Sequence, residues 1–310
     1  MQWLHPYRHK VDQLYRLAEM RMAEFPECAA QPGLALLKRL DQARAASKDN
    51  HICCLLPYWL ADSTQAREEW CDRMALGNLF GMLHYLIIDD AMDAPAQPHG
   101  SLLPLAGLCN LELFACYQPL LTERGEVWSH YQRYVSEWAA AAAAERAHNR
   151  RWSDPLTLAH KSSPIKLTAA ALCALAGREE LLEEFEAAID LVLATLQLSD
   201  DLADWEQDLA EDSGNALLLL IRSGMAEPDK PLTAEAVKQA IFVSQALVPY
   251  LEVAERHHRA LSELAISDSV PGLVSFHNSL LEELRDIALR VSREREQLLQ
   301  GGFHYWLYKQ

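Results

Sequence analysis

The sequence predicts an all-α protein. Helix-period apolar patterns recur along the whole chain and strand alternation is almost absent; half of the 310 residues are apolar and only 12 are glycine. No repeat, low-complexity linker or composition break divides the chain, so residues 1–310 read as one helical domain with ample material for a core.

The elements follow in order. A first helix is expected over about 11–25 and a second over about 34–46, with Pro32 and Gly33 as the separator. Residues 47–62 begin polar and turn apolar around Pro57, and Asp62 or Ser63 is the expected N-cap of a long helix that closes at Asp93. A Pro-rich loop spans 94–100. Helices are then expected over about 102–121 and 123–146, the second carrying six consecutive alanines at 139–144 that favour helix and let a neighbour approach closely. Asp154-Pro155 reads as a cap followed by proline at the first helical position, and Pro164 should break or kink the segment that runs to Gly177. A long helix starts near 179 and ends in an acidic run, Ser213-Gly214-Asn215 makes a turn, and a short apolar helix reaches Arg222. Two long helices close the chain, about 233–264 with a kink before Pro249 and about 271–299. Gly301-Gly302 should then release an aromatic tail, 303–308, to pack over a pocket mouth or a neighbouring helix.

Asp and Glu number 44 against 28 Lys and Arg, a net charge of −16, which argues against nucleic acid or an anionic membrane as a general partner. An anionic substrate stays open, because a bound cation inverts the local field. The seven cysteines show no CxxC spacing and read as reduced core residues. Residues 1–6 lack a signal-peptide pattern and no apolar run reaches the roughly 20 residues that span a bilayer, so a soluble cytoplasmic protein without stable membrane insertion is expected.

The chemistry concentrates in two acidic stretches. On one helical face, Asp200, Asp204 and Asp208 recur every four residues, with Gln197 three before the first. Like charges so placed repel, and Mg²⁺ removes the penalty by taking carboxylate oxygens and completing its shell with water and substrate phosphate. Gln197 suits a phosphate oxygen or a metal-bound water. The second stretch is Asp89-Asp90-Ala91-Met92-Asp93, preceded by Leu86, Ile87 and Ile88 with no Lys or Arg beside it in the chain. Burying such carboxylates without a metal would be very costly.

Paired in this way, the two stretches resemble the DDxxD elements of class I isoprenoid (terpenoid) synthases. Asp89-Asp90-x-x-Asp93 matches the first motif, and Gln197-x-x-Asp200-Asp201-x-x-Asp204 resembles the second motif of trans-prenyl synthases. Asp200, Asp204 and Asp208 also fall at the three ligand positions of the terpene cyclase triad, with Asp where that family has Asn, Ser/Thr and Glu. The resemblance implies a helical bundle with a central active-site cavity across which the motifs face each other, and Mg²⁺ as cofactor. It implies metal ligation by Asp89, Asp90, Asp93, Asp200, Asp204 and Asp208, with Asp89, Asp93, Asp200 and Asp204 indispensable to turnover. The substrate implied is an allylic isoprenoid diphosphate, whose ionisation needs an apolar, closed pocket. Candidate wall residues are Asn78, Met82, Tyr85, Leu193 and Leu196, and candidate diphosphate contacts are Arg150, Arg151, Lys161 and Lys166, with His160 beside them. A homodimer is compatible with the resemblance.

Departures from the family pattern favour a one-substrate cyclase. Lys48-Asp49-Asn50-His51 lacks the Gly-Lys-Arg element of chain-elongating synthases, and 94–100 lacks their arginines after DDxxD. Chain elongation and head-to-head (squalene/phytoene-type) condensation are the alternative enzymes, and an inactive helical partner subunit is the non-enzymatic one. A di-iron bundle would need Glu-x-x-His pairs, which neither acidic stretch contains.

Overall fold

The computed structural model describes residues 3–43, 51–93, 102–146, 154–225 and 231–307, and among these the regular structure is entirely helical. The chain divides into two compact units, one of Met1–Trp138, Ser162–Ile189 and Leu264–Ser275, the other of Ala139–Lys161, Asp190–Glu263 and Phe276–Gln310. Among the described residues no helix is long and apolar enough to cross a membrane.

The first unit contains α1 (Arg8–Ala23), α2 (Glu27–Ala43), α3 (His51–Trp59), α4 (Ala61–Thr64), α5 (Glu68–Asp93), α6 (Leu103–Tyr117) and α8 (Leu167–Ala176), with the start of α7 (Gly125–Arg146) and of α9 (Leu182–Ala203). Helix α5 is its centre and packs against α1, α3 and α6. The approach to α6 is close: a Cβ on Gly77 would lie 2.9 Å from the Tyr117 ring and 3.0 Å from Cys116 Cβ. Leu79, Phe80, Leu83 and Ile87 of α5 are buried, as are Leu55 and Leu56 of α3 and Cys109 and Leu113 of α6. All seven cysteines are free thiols, and burial pushes those of Cys71, Cys109 and Cys173 up to about 12.

The second unit holds α10 (Trp205–Glu211), α11 (Ala216–Ser223), α12 (Ala234–Phe242) and α13 (Leu247–Glu263), together with the later parts of α7, α9 and α14 (Pro271–Leu307). Helix α11 packs against both α10 and α12. Val192, Leu198, Leu217, Val237, Val253, Leu261 and Leu280 are buried within this unit, and Tyr250 on α13 donates its hydroxyl to the Leu198 carbonyl on α9 at 2.8 Å.

Several boundaries differ from the sequence expectation. Pro32 and Gly33 do not separate helices but lie inside α2, where Gly33 lets Met22 come within 2.5 Å of the place a Cβ would take. Asp62 and Ser63 do not cap α5; they belong to the short α4, which ends at Gln65 in a left-handed conformation (φ 51°), and Ser63 Oγ instead donates to the Ser269 carbonyl at 2.8 Å. Pro164 lies in a 3-10 run, Pro155–Lys166, whose start Asp154 caps by accepting from the Leu156 N–H at 3.1 Å. The kink before Pro249 is a full break between α12 and α13, with Gln245 left-handed at φ 58°. Gly301-Gly302 does not end the last helix, which continues to Leu307. Each glycine lowers helix propensity by about 1 kcal/mol, less than is needed to stop a long helix already nucleated. Tyr308 and the side chains of the tail lie outside the described residues.

Candidate functional site

In the first unit, the acidic stretch forms the last turns of α5. Asp89 and Asp90 are half-buried, and Asp93 is the final residue of the helix, with its side chain outside the described set. The last turn of α5 carries no basic residue. Carboxylates at a helix C-terminus oppose the macrodipole, so helix electrostatics alone disfavour this placement. Asp89 does have an interaction partner, which corrects the expectation of unpartnered carboxylates at this position.

The candidate wall residues on α5 divide into two kinds. Asn78, 6% exposed, is fully committed to a buried network: its Nδ2 donates to Thr168 Oγ1 at 2.9 Å and to the Cys53 carbonyl at 3.1 Å, and its Oδ1 accepts from Tyr117 at 2.6 Å. It ties α3, α5, α6 and α8 together. Met82 and Tyr85 are half-buried. The Tyr85 hydroxyl lies 3.1 Å from that of Tyr131 and its ring meets Trp138 edge-on at 4.8 Å; burial raises the phenol above its ordinary pKa.

The two candidate lysines have carboxylate partners. Lys166 is 1% exposed and sits 2.8 Å from Glu137 Oε2, which also accepts from Ser163 Oγ at 2.7 Å. Burial alone would raise the Glu137 carboxyl, but the hydrogen bonds from Lys166 and Ser163 outweigh it and hold the group below its ordinary value. Arg133 bridges Glu137 and Glu186, and Tyr134 donates to Glu186. In the second unit, Lys161 pairs with Glu145 at 2.9 Å, and the Glu145 side chain lies against Gly214. His160 is half-buried, and Arg150 and Arg151 lie outside the described residues.

The acidic run of the second unit is not one continuous helix. α9 ends at Ala203, and Asp204 takes φ −105°, ψ 8° as the N-cap of α10. Backbone bonds from the Asp204 N–H to the Asp200 carbonyl and from the Asp208 N–H to the Asp204 carbonyl, both 3.0 Å, keep the four-residue spacing through the bend. Asp200 and Asp208 are half-buried and Asp204 is exposed; Asp200 and Asp204 each have an interaction partner. Leu193 and Leu196, one or two turns earlier, are buried.

Gln197, read from the sequence as a partner for a phosphate oxygen or a metal-bound water, donates to a neighbouring aspartate. Its Nε2 donates to Asp201 Oδ1 at 2.6 Å, and Asp201 Oδ2 accepts from the Ala216 N–H at 2.7 Å. Asp201 is 3% exposed; burial pushes its carboxyl up to about 6 against the lowering influence of Lys161 and of these hydrogen bonds. The residue sequence reasoning missed is Asn215, 1% exposed, whose Nδ2 donates to the Asp201 carbonyl at 2.6 Å and to Asp208 Oδ2 at 2.7 Å while its Oδ1 accepts from the Leu218 N–H at 3.1 Å. The available signal was asparagine directly before the apolar run 216–221, an N-cap pattern.

The donors suit a hard divalent cation: carboxylate oxygens in both acidic stretches, without thiolate or imidazole among them. Asp208 holds Ser213 on Oδ1 at 3.2 Å and Asn215 on Oδ2, and a carboxylate with one donor on each oxygen retains lone pairs for a metal. Among the described residues, no three or more His, Cys, Asp or Glu side chains gather as a ready metal centre. No protein-family model matches the chain, and a search of curated proteins gives no match.

Proposed function

We propose that the chain is an enzyme of the class I isoprenoid synthase type, which uses Mg²⁺ to ionise an allylic isoprenoid diphosphate and forms a terpene hydrocarbon or alcohol. The observation that carries this reading is the position of the two acidic elements. Each begins in the last turns of a long helix, α5 or α9, that has no basic residue in its last turn. The dipole of α5 or α9 opposes Asp89, Asp90, Asp93 and Asp200, repulsion within each element adds to it, and divalent cations relieve both.

Each element would bind cation through its own aspartates, Asp89, Asp90 and Asp93 in the first and Asp200, Asp204 and Asp208 in the second. Mg²⁺ bound there would supply Lewis-acid neutralisation of the diphosphate charge. Of the lysines, Lys161 is the better candidate for contact with phosphate oxygens: it is part-exposed and its charge is felt at Asp201, whereas Lys166 is committed to Glu137 in the core. Buried Leu193 and Leu196 contribute apolar surface beside the second element, as a reaction that water would quench requires.

One observation favours a single diphosphate substrate over chain elongation. His51, one of only two basic candidates for a second diphosphate in its segment, is 2% exposed and meets the Trp3 ring edge-on at 5.3 Å. The test is incubation with C10, C15, C20 and C25 allylic diphosphates and Mg²⁺, with and without isopentenyl diphosphate. Inorganic diphosphate and a hydrocarbon or alcohol should appear from at least one substrate alone. No diphosphate release from any of them would overturn the reading, and a longer diphosphate formed only with isopentenyl diphosphate would move it to chain elongation.

A further inference from the structure

We infer that Asn215 is a positioning residue for the second acidic element: by fixing the bend at Asp204 it sets the placement of Asp208 relative to Asp200, so that cation binding by this element depends on Asn215. The inference rests on the reading of Asp200, Asp204 and Asp208 as cation ligands.

The bend creates a specific need. In a continuous helix the Asp201 carbonyl would accept from the Trp205 N–H, four residues on. With α9 ending at Ala203, that carbonyl accepts from Asn215 Nδ2 at 2.6 Å. The second hydrogen of the same amide nitrogen goes to Asp208 Oδ2 at 2.7 Å, on the far side of the bend. The amide oxygen caps α11 through the Leu218 N–H at 3.1 Å. Both donors and the acceptor of one buried side chain are therefore used, on α9, α10 and α11 in turn. The flanking residues reinforce the arrangement. Ser213 N–H donates to the Asp208 carbonyl at 2.9 Å and Ser213 Oγ to Asp208 Oδ1 at 3.2 Å, while Gly214 admits the Glu145 side chain where a Cβ would lie 2.4 Å from Glu145 Cγ.

No other residue type fills all three roles. Aspartate has the same shape and remains a good N-cap, but it presents oxygen to the Asp201 carbonyl and the Asp208 carboxylate, where both need a donor. Serine also caps well and is too short to make both bridging bonds. Asn215→Asp and Asn215→Ser thus retain the cap and remove the bridge.

The experiment is a titration of the purified full chain with Mn²⁺, read as free Mn²⁺ by electron paramagnetic resonance, with melting temperatures taken in EDTA. Wild type should bind, and Asp200→Asn should bind more weakly. Asn215→Ser should lose about tenfold or more in affinity, the scale on which residues that orient metal ligands act, while melting within a few degrees of wild type. Asn215→Asp should also bind more weakly despite its added negative charge; if charge alone governed affinity, it would bind more tightly. Mn²⁺ binding at wild-type affinity in both Asn215 variants, with Asp200→Asn impaired, would overturn the inference and leave the reading of the ligands standing. Wild type and Asp200→Asn binding Mn²⁺ equally poorly would overturn both.

Discussion

Lys166 Nζ lies 2.8 Å from Glu137 Oε2 and 5.1 Å from the centre of the Tyr134 ring, with the lysine almost wholly out of water. Removing one partner of such a pair strands the other, at a cost of about 3 kcal/mol, whereas replacing both with neutral groups costs much less. Lys166→Met should therefore be strongly destabilising in urea unfolding, and Lys166→Met combined with Glu137→Gln should recover a large part of the loss. Glu137 titrates below its ordinary value in the folded protein, so its contribution is present above the unfolded pKa and is lost as pH falls through the folded one. If Lys166→Met unfolds like wild type but no longer releases diphosphate from an allylic substrate, the lysine belongs to the substrate grip instead.

A second buried cluster governs stability in mild acid. Thr195 on α9 donates its hydroxyl to the Leu191 carbonyl at 3.0 Å, so it accepts from His257 Nδ1 at 3.0 Å and His277 Nε2 at 2.9 Å. Both imidazoles are thereby held as defined neutral tautomers, and His258 stacks on His277 at 5.4 Å. Burial, with Arg256 adding to it and Asp154 opposing, lowers His257 to about 4; burial, with His258 and His257 adding to it, lowers His277 to about 3. Arg285 acts in the same sense on His258, after burial.

Because these folded values lie below the unfolded one, the unfolded chain takes up the protons first. The stability the pair contributes is complete above about pH 6.5 and drains as pH falls towards 4. Between pH 7 and pH 5 the loss should be about 2 kcal/mol per histidine. His257→Asn and His277→Gln keep the donors to Thr195 and cannot titrate, so the double variant should show a shallower decline in urea midpoint over that range. An unchanged slope would remove the histidines as its cause.

Gly272 is held by contact rather than by backbone conformation. A Cβ there would lie 2.2 Å from Trp59 Cδ1 and 2.8 Å from Cγ, and the indole is buried and unable to retreat cheaply. Helix propensity favours Gly272→Ala by about 1 kcal/mol, but overpacking of this kind costs roughly 1–3 kcal/mol. The clash should win, and the melting temperature should fall. Gly125, at the start of α7 with open space around its would-be Cβ, is the control: Gly125→Ala should not lower it.

The helical class was legible because periodicity is a property of many residues at once, and α6, α7 and the start of α9 lie close to where it puts them. Boundaries set by one residue were not. Pro32 reads locally as a breaker, yet α2 continues through it, with Gly33 letting Met22 and Leu105 come close. The break at Asp204 left no trace in the local pattern, since residues 196–208 keep a helical period; what stabilises it includes Asn215, which lies beyond the run. The first acidic stretch was legible as a placement at the end of one helix, and the start of the second likewise. Which neighbour Gln197 serves was not, because Asp200 and Asp201, three and four residues on, are both within helical reach.

That ambiguity gives the last prediction, which separates the two adjacent aspartates. Asp201 is buried, with Oδ1 accepting from Gln197 and Oδ2 from the Ala216 N–H. Asparagine can satisfy the same partners: its oxygen takes the Ala216 N–H, and its amide donates to Gln197 once that side chain flips. Asp201→Asn should therefore fold and retain Mg²⁺-dependent diphosphate release. Asp201→Leu would leave the Ala216 N–H without its carboxylate acceptor and should cost about 1–3 kcal/mol. Asp200 is half-buried at the same bend and is proposed as a ligand. An amide there is a far poorer partner for Mg²⁺ than a carboxylate, so Asp200→Asn should abolish release while its melting temperature in EDTA stays near that of wild type. Activity at high and low Mg²⁺, paired with melting in EDTA, distinguishes the two positions. Retained activity in Asp200→Asn together with loss in a folded Asp201→Asn would reverse the assignment, making the buried aspartate the ligand and the half-buried one its support.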